Sequence, residues 1–177
     1  MNIYINEESI LHIETLIVGL PEHINQLREI KYNNQSINEQ LETLKQHHII
    51  GSSVGKISST MFYTNNQPKR LLTVGLGNLK DLSYQRLLKV WGHTFQFLKQ
   101  EHINEAEVLL DTFISKYNDS IEVAKTFGLQ SNQSIYQFDN YKSDKKAPYQ
   151  PNIYVQTEFD KVNSAIYEGQ QLGKSIN

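Results

Sequence analysis

The sequence predicts an α/β protein, a three-layer α/β/α sandwich around a mixed central β-sheet, and three observations predict it. Short β-branched runs alternate with longer segments whose apolar residues recur every three or four positions. The order is mainly strand, helix, strand, which favours crossovers, parallel pairing and helices on both faces of the sheet. One strand pair, Lys56 to Tyr63 and Arg70 to Gly75, is separated only by Asn65-Asn-Gln-Pro68. Such turn chemistry reads as a hairpin, so the sheet is not parallel throughout. With 177 residues, no internal repeat and no Gly/Ser linker, residues 1–177 are read as one domain.

Each element has its own signal. Ile3 to Ile5 and Ile13 to Val18 read as strands, and Gly19 and Pro21 punctuate the second. Ser36 with Glu39 spells a capping box, opening a helix with Ile37, Leu41, Leu44 and His48 on one face. Between Ser83 and Gln100, Tyr84, Leu87, Leu88, Trp91, Phe95 and Leu98 form a wide apolar helical stripe. The largely apolar run Val108 to Phe113 reads as a strand covered on both faces. Asp119 is placed to cap a helix carrying Ile121, Ala124, Phe127 and Gly128 and extending toward Tyr136. A Lys/Pro loop at 142–151 precedes a short strand, Ile153 to Gln156, and a last helix from Asp160.

Composition narrows the function classes. Seventeen basic and 19 acidic side chains leave a net charge of −2, so no nucleic-acid partner is expected. Cysteine is absent, which removes disulfides, thiolate metal sites and cysteine nucleophiles from this chain. Residues 1–8 have neither a basic start nor a long apolar run, and Leu16 to Leu20 is far short of the ~20 residues of a membrane span. The expectation is a cytoplasmic chain with no membrane contact.

The motifs are weak one by one. Gly51-Ser-Ser-Val-Gly55 spells the G-x-S-x-G of a nucleophile elbow around Ser53. That chemistry needs a helix after the turn, whereas the pattern after Gly55 is a strand. Gly51 with Gly55 and Lys56 misses the phosphate-loop spacing by one residue, and Ile57 stands where a magnesium-binding hydroxyl belongs. Gly75 and Gly77 leave a strand just before a helix, but Lys80 occupies the third glycine position of a dinucleotide fingerprint. A sharp turn with cheap positive φ is the favoured reading of that pair; a small-ligand crevice at Gly75, Gly77 and Asn78 is held in reserve. The histidines, at 12, 23, 47, 48, 93 and 102, show no metal-ligand spacing, so no metal site is assigned. Lys142, Lys145 and Lys146 surround Asp144, with Tyr141 and Tyr149 nearby, as a solvated basic loop.

Taken together, Gly51 with Gly55-Lys56, the strand-turn Leu71-Leu-Thr-Val-Gly-Leu-Gly77 and the block Tyr136-Gln-Phe-Asp-Asn-Tyr-Lys142 resemble one family. They look like the N-terminal domain of the leucyl (cytosol) aminopeptidases, with the resemblance running on into Ala165 to Gly169. It implies a macro-domain-like fold and a parent enzyme that removes N-terminal amino acids from peptides. That parent uses two divalent metal ions, zinc or manganese, held in a separate C-terminal catalytic domain. The family's N-T-D-A-E-G-R metal block is not found in these residues, so no catalytic residue carries over to this chain.

The implied role is a noncatalytic structural and oligomerisation domain. Its partners would be its own C-terminal catalytic domain and the sister subunits of a homohexamer. The apolar face Val162, Ile166, Gly169, Gly173, Ile176 runs unbroken to the end, so the helix at about 160–177 is expected to lead toward that domain. Tyr136, Phe138, Tyr141 and Lys142 receive no role beyond the resemblance. A reading from another class is a nucleotide-type binding module using the crevice at Gly75, Gly77 and Asn78.

Overall fold

The computed structural model describes residues 1–7, 13–140 and 149–176. In chain order its elements are β1 (Asn2–Ile5), β2 (Thr15–Pro21), β3 (Lys31–Tyr32), β4 (Gln35–Ser36), α1 (Asn38–Gln46), β5 (Ile57–Thr64) and β6 (Gln67–Gly77). Then follow α2 (Tyr84–Gln100), β7 (Glu105–Leu109), α3 (Ser120–Asn140), β8 (Asn152–Gln156) and α4 (Val162–Ile176). Short 3-10 turns occupy Ile24–Gln26, Leu79–Asp81 and Leu110–Phe113.

Six strands form one sheet in the order β1-β8-β7-β2-β6-β5. Five run parallel, and β5 joins the edge antiparallel to β6. The sheet is therefore mixed, and the antiparallel pair is the hairpin read from Asn65 and Asn66. Both asparagines have positive φ, 51° and 61°, as a two-residue primed turn requires. All seven residues of the central β2 are buried, because helices cover one face and a thinner layer covers the other.

Alternation along the strands divides the core in two. Ile17, Leu72, Val74, Val108, Ile153 and Val155 point to a large cluster beneath α2, α3 and α4. At its centre the Trp91 and Phe113 rings lie tilted with their centres 4.2 Å apart, and Phe127 meets Trp91 edge-on at 5.0 Å. Leu16, Val18, Leu20 and Leu71 point the other way, to a smaller cluster with Tyr32, Ile37, Leu41 and Phe62. The helix stripe of α2 buries Leu87, Val90, Trp91, Phe95 and Leu98, while Tyr84 at its first turn remains exposed. Asp119 caps α3 as read, its carboxylate accepting the Glu122 N–H at 2.7 Å.

Helices α3 and α4 approach until backbone meets backbone. A Cβ on Gly128 would stand 2.1 Å from the Ile166 carbonyl oxygen, and one on Gly169 would stand 2.0 Å from that of Lys125. Only glycine permits this contact, which gives Gly169 and Gly173 on the last helix a packing role.

Two local readings need correction. The run Val108 to Phe113 is not one strand: β7 ends at Leu109, and 110–113 fold into a 3-10 turn. Side chains hold that turn, since Thr112 Oγ1 accepts the Gly19 N–H and donates to the Leu109 carbonyl, each at 2.7 Å. Its apolar residues are buried by folding back, with Phe113 under Trp91. Ser36 does not cap α1, because it pairs with Lys31 in the β3–β4 hairpin; Ile37 is the cap residue and makes no side-chain bond. That hairpin turns on Asn33 and Asn34, both at positive φ, the same signal as Asn65 and Asn66.

Candidate functional site

In parallel sheets the chemistry gathers outside the carboxyl ends of the strands. Here those ends differ. At β6 the chain fills its own crevice. Gly75 and Gly77 exchange backbone hydrogen bonds with residues 52–56, including Gly77 N–H to the Ser52 carbonyl at 2.7 Å and Gly55 N–H to that of Gly75 at 2.9 Å. A Cβ on Gly75 would stand 1.9 Å from the Ser53 carbonyl oxygen. Gly77 has a φ of +66°, as the turn reading expects, and the Asn78 side chain accepts the Lys80 N–H. These three positions hold the 51–55 segment and the following 3-10 turn.

An open crevice lies at β7 and β8. A cavity of about 330 Å³ is lined by Asn6, Arg28, Leu109, Asp111, Gln156 and Glu158, among others. Asp111 fixes its floor: Thr157 Oγ1 donates to one carboxylate oxygen at 2.5 Å and the Glu158 N–H to the other at 2.9 Å. Asn6, at a φ of 52°, accepts the Thr157 N–H. A second cavity of about 620 Å³ continues from Arg28 to the start of α3. Arg28 lies over the Phe159 ring, 5.0 Å from its centre. None of these residues is singled out by the sequence, since they come from four separate chain segments with no shared period.

A second polar group joins β3, β6 and β7. Tyr32, Lys69 and Glu107 are nearly fully buried. Lys69 Nζ donates to the Tyr32 oxygen at 2.7 Å and to the Ile13 carbonyl, and the Tyr32 hydroxyl donates to Glu107 at 3.0 Å. Burial pushes the Tyr32 hydroxyl far up from its ordinary value, and the Glu107 charge adds to this. Burial also raises the Glu107 carboxyl, against the hydrogen bond from Tyr32 and the Lys69 charge, and lowers the Lys69 ammonium. These three groups satisfy one another and face no cavity described above.

The remaining candidates fall into place individually. Ser53 sits in a turn followed by β5, with no helix behind it. His93 Nδ1 is 2.9 Å from the Gly55 carbonyl oxygen. Among the described residues no group of three His, Asp or Glu side chains is placed to hold a metal ion. No helix among them is long and apolar enough to cross a membrane. Tyr136 and Phe138 fall within α3, whereas Tyr141, Lys142, Asp144, Lys145 and Lys146 lie outside the described residues. Tyr149 donates its hydroxyl to the Ile103 carbonyl, and burial raises its pKa.

Residues 17–145 match the cytosol aminopeptidase family, N-terminal domain. A probable cytosol aminopeptidase of Bacillus licheniformis is 24% identical over 168 residues, covering 93% of this chain and 34% of that protein. The Bacillus subtilis protein of the same description is 25% identical over 170 residues, covering 94% and 34%. The chain thus spans about a third of the length of these curated relatives. Among solved structures, a mutant of tomato leucine aminopeptidase superposes with a TM-score of 0.65 at 12% identity, over 99% of this chain and 36% of that one. The bottromycin maturation enzyme BotP gives 0.61 at 12% identity, over 92% and 30%. These two share the fold. With its mixed six-stranded sheet and the match over most of its length, the chain belongs to the cytosol aminopeptidase family, as that family's N-terminal domain.

Proposed function

We propose that these 177 residues form one noncatalytic structural and oligomerisation domain of a metal-dependent aminopeptidase. The parent enzyme removes N-terminal amino acids from peptides. The observation that carries this reading is the match of residues 17–145 to the N-terminal domain of a family whose relatives are about three times as long. In this reading two divalent ions, zinc or manganese, and all catalytic groups belong to a C-terminal domain, toward which α4 runs. The partners are that domain and the sister subunits of a homohexamer. The relatives' description as cytosol aminopeptidases supports a cytoplasmic location.

The test compares the purified chain with the full reading frame that encodes it. The chain alone is expected to leave a leucyl anilide intact with manganese or zinc added, while the longer protein hydrolyses it. Turnover by the chain alone sinks the noncatalytic reading. Sedimentation supplies the oligomerisation arm: removing residues 1–177 from the longer protein is expected to shift it to a smaller assembly. An unchanged hexamer after that removal assigns assembly elsewhere.

A further inference from the structure

The layer over β2, β6 and β5 is one unbroken stretch of chain, residues 23–50, and both its ends are pinned at a single residue. Gly77 accepts the Glu22 N–H at 2.9 Å and donates its own N–H to the Ser52 carbonyl at 2.7 Å. Between those ends the stretch bonds to itself. β3 and β4 pair with each other in a separate two-stranded sheet. The Ile37 N–H goes to the Ile30 carbonyl, and the Ile30 N–H to the Asn38 side chain. Among the described residues no backbone-to-backbone hydrogen bond joins 23–50 to the six-stranded sheet. Of the nine residues of α1 only Leu41 is buried.

The polar ties to the sheet come together in the β3–β4 hairpin. The Tyr32 hydroxyl accepts from Lys69 on β6 at 2.7 Å and donates to Glu107 on β7 at 3.0 Å. One residue on, the Asn33 side chain donates to Thr64 Oγ1 at 3.4 Å. Tyr32, Lys69 and Glu107 are only 6%, 6% and 3% exposed, so the closed roof admits no water in place of that hydroxyl. Arg28, over the Phe159 ring, adds a contact from an exposed side chain. Pin and hydroxyl thus stand toward opposite ends of one strand, β6, at Gly77 and Lys69.

We propose that residues 23–50 are a hinged roof that opens as a unit, pivoting at Gly77 and latched by Tyr32 between Lys69 and Glu107. Opening uncovers the apolar face of Leu16, Leu20, Leu71 and Phe62, while the sheet and the helices on its other face stay folded. A strand inside the sheet breaks a hydrogen-bond ladder to leave; the roof gives up one latch and a few apolar contacts, which sets its opening apart from global unfolding. The device is independent of the architectural role proposed above, because its readout is a local opening and not hydrolysis or assembly.

Native-state hydrogen exchange of the 177-residue chain in low urea, followed residue by residue, tests it with two variants. Tyr32→Phe keeps the ring and removes the latch. Ile166→Val trims a buried side chain of α4 in the other cluster. In the unaltered chain the Ile37, Leu41 and His47 amides are expected to exchange as a set, roughly a hundredfold faster than those of β2, β6 and β7 after correction for intrinsic rates. Tyr32→Phe is expected to speed the roof amides roughly tenfold. Ile166→Val is expected to speed the strand amides about fivefold and to leave the roof amides unchanged. If roof and strands exchange together and respond alike to both variants, 23–50 belongs to one cooperative unit and the proposal falls. It falls equally if Tyr32→Phe leaves the roof amides at their unaltered rate.

Discussion

The thinner face of the sheet has two halves built on different plans. Over β2, β6 and β5 it is roofed by α1, the β3–β4 hairpin and the 3-10 turn at 24–26, and Leu16, Leu20, Leu71 and Phe62 are buried there. Over β8 and β1 the same face shows Tyr4, 37% exposed and stacked on Tyr154 at 5.0 Å. The boundary runs through β7, where the Tyr32 hydroxyl reaches across to Glu107. The roofed half puts glycine and a mutually satisfied polar group where the chain must close on itself. The other half keeps full side chains, and its loops leave a crevice.

The largest expected effect lies on the boundary. Glu107→Ala takes the acceptor from the buried Tyr32 hydroxyl and opens a hole beside Lys69, and is expected to cost about 3–5 kcal/mol by urea unfolding. Because burial raises Glu107 above its ordinary 4.5, the fold favours its protonated form. Its contribution is full below that ordinary value and is lost as pH rises through the raised one. The substitution should therefore flatten the decline in stability that the unaltered chain shows as pH climbs above 4.5. A variant as stable as the parent, with the same pH profile, removes Glu107 from the boundary.

Next comes Gly75→Ala in the roofed half. The new methyl meets the Ser53 backbone, which cannot rotate aside as a side chain would, and a loss of about 3 kcal/mol is expected in thermal unfolding. A neutral result shows that residues 51–55 can lift away, and that β6 has an opening after all. Asp119→Ala, beside the crevice, removes one helix cap and should cost about 1 kcal/mol. Smallest are Arg28→Met and Tyr4→Ser in the open half, each expected to change stability by less than about 0.5 kcal/mol. A loss well beyond that from either one would mean that the open half supports the fold as the roofed half does.

Much of the framework was legible because it rests on local repetition. The α2 stripe, the Asp119 cap and the Asn65–Asn66 hairpin each carry their signal within one short window. Gly77 was legible as a turn glycine, whereas Gly75 was not legible as to purpose: it admits a backbone 22 positions earlier in sequence. The hairpin at 31–36 went unread although Asn33 and Asn34 repeat the Asn65–Asn66 signal, because its strands are two residues long and carry no alternation. Ser36, spelled as a cap, was claimed by that hairpin. The crevice lay beyond reach for a different reason. Arg28, Asn118, Gln156 and Glu158 are assembled by topology, and nothing in the spacing of such residues records that three parallel strands end side by side.

The glycine contacts between α3 and α4 bear on alignment. With Gly128 against Ile166 and Gly169 against Lys125, neither helix can slide or roll without forcing two backbones into each other. The pair behaves as an indexed joint, seated in one position. A domain or label fused after α4 through a rigid helical extension would inherit its heading from these residues. Enlarging Gly169 would then swing that attachment through a wide arc while displacing the domain itself by only an ångström or so.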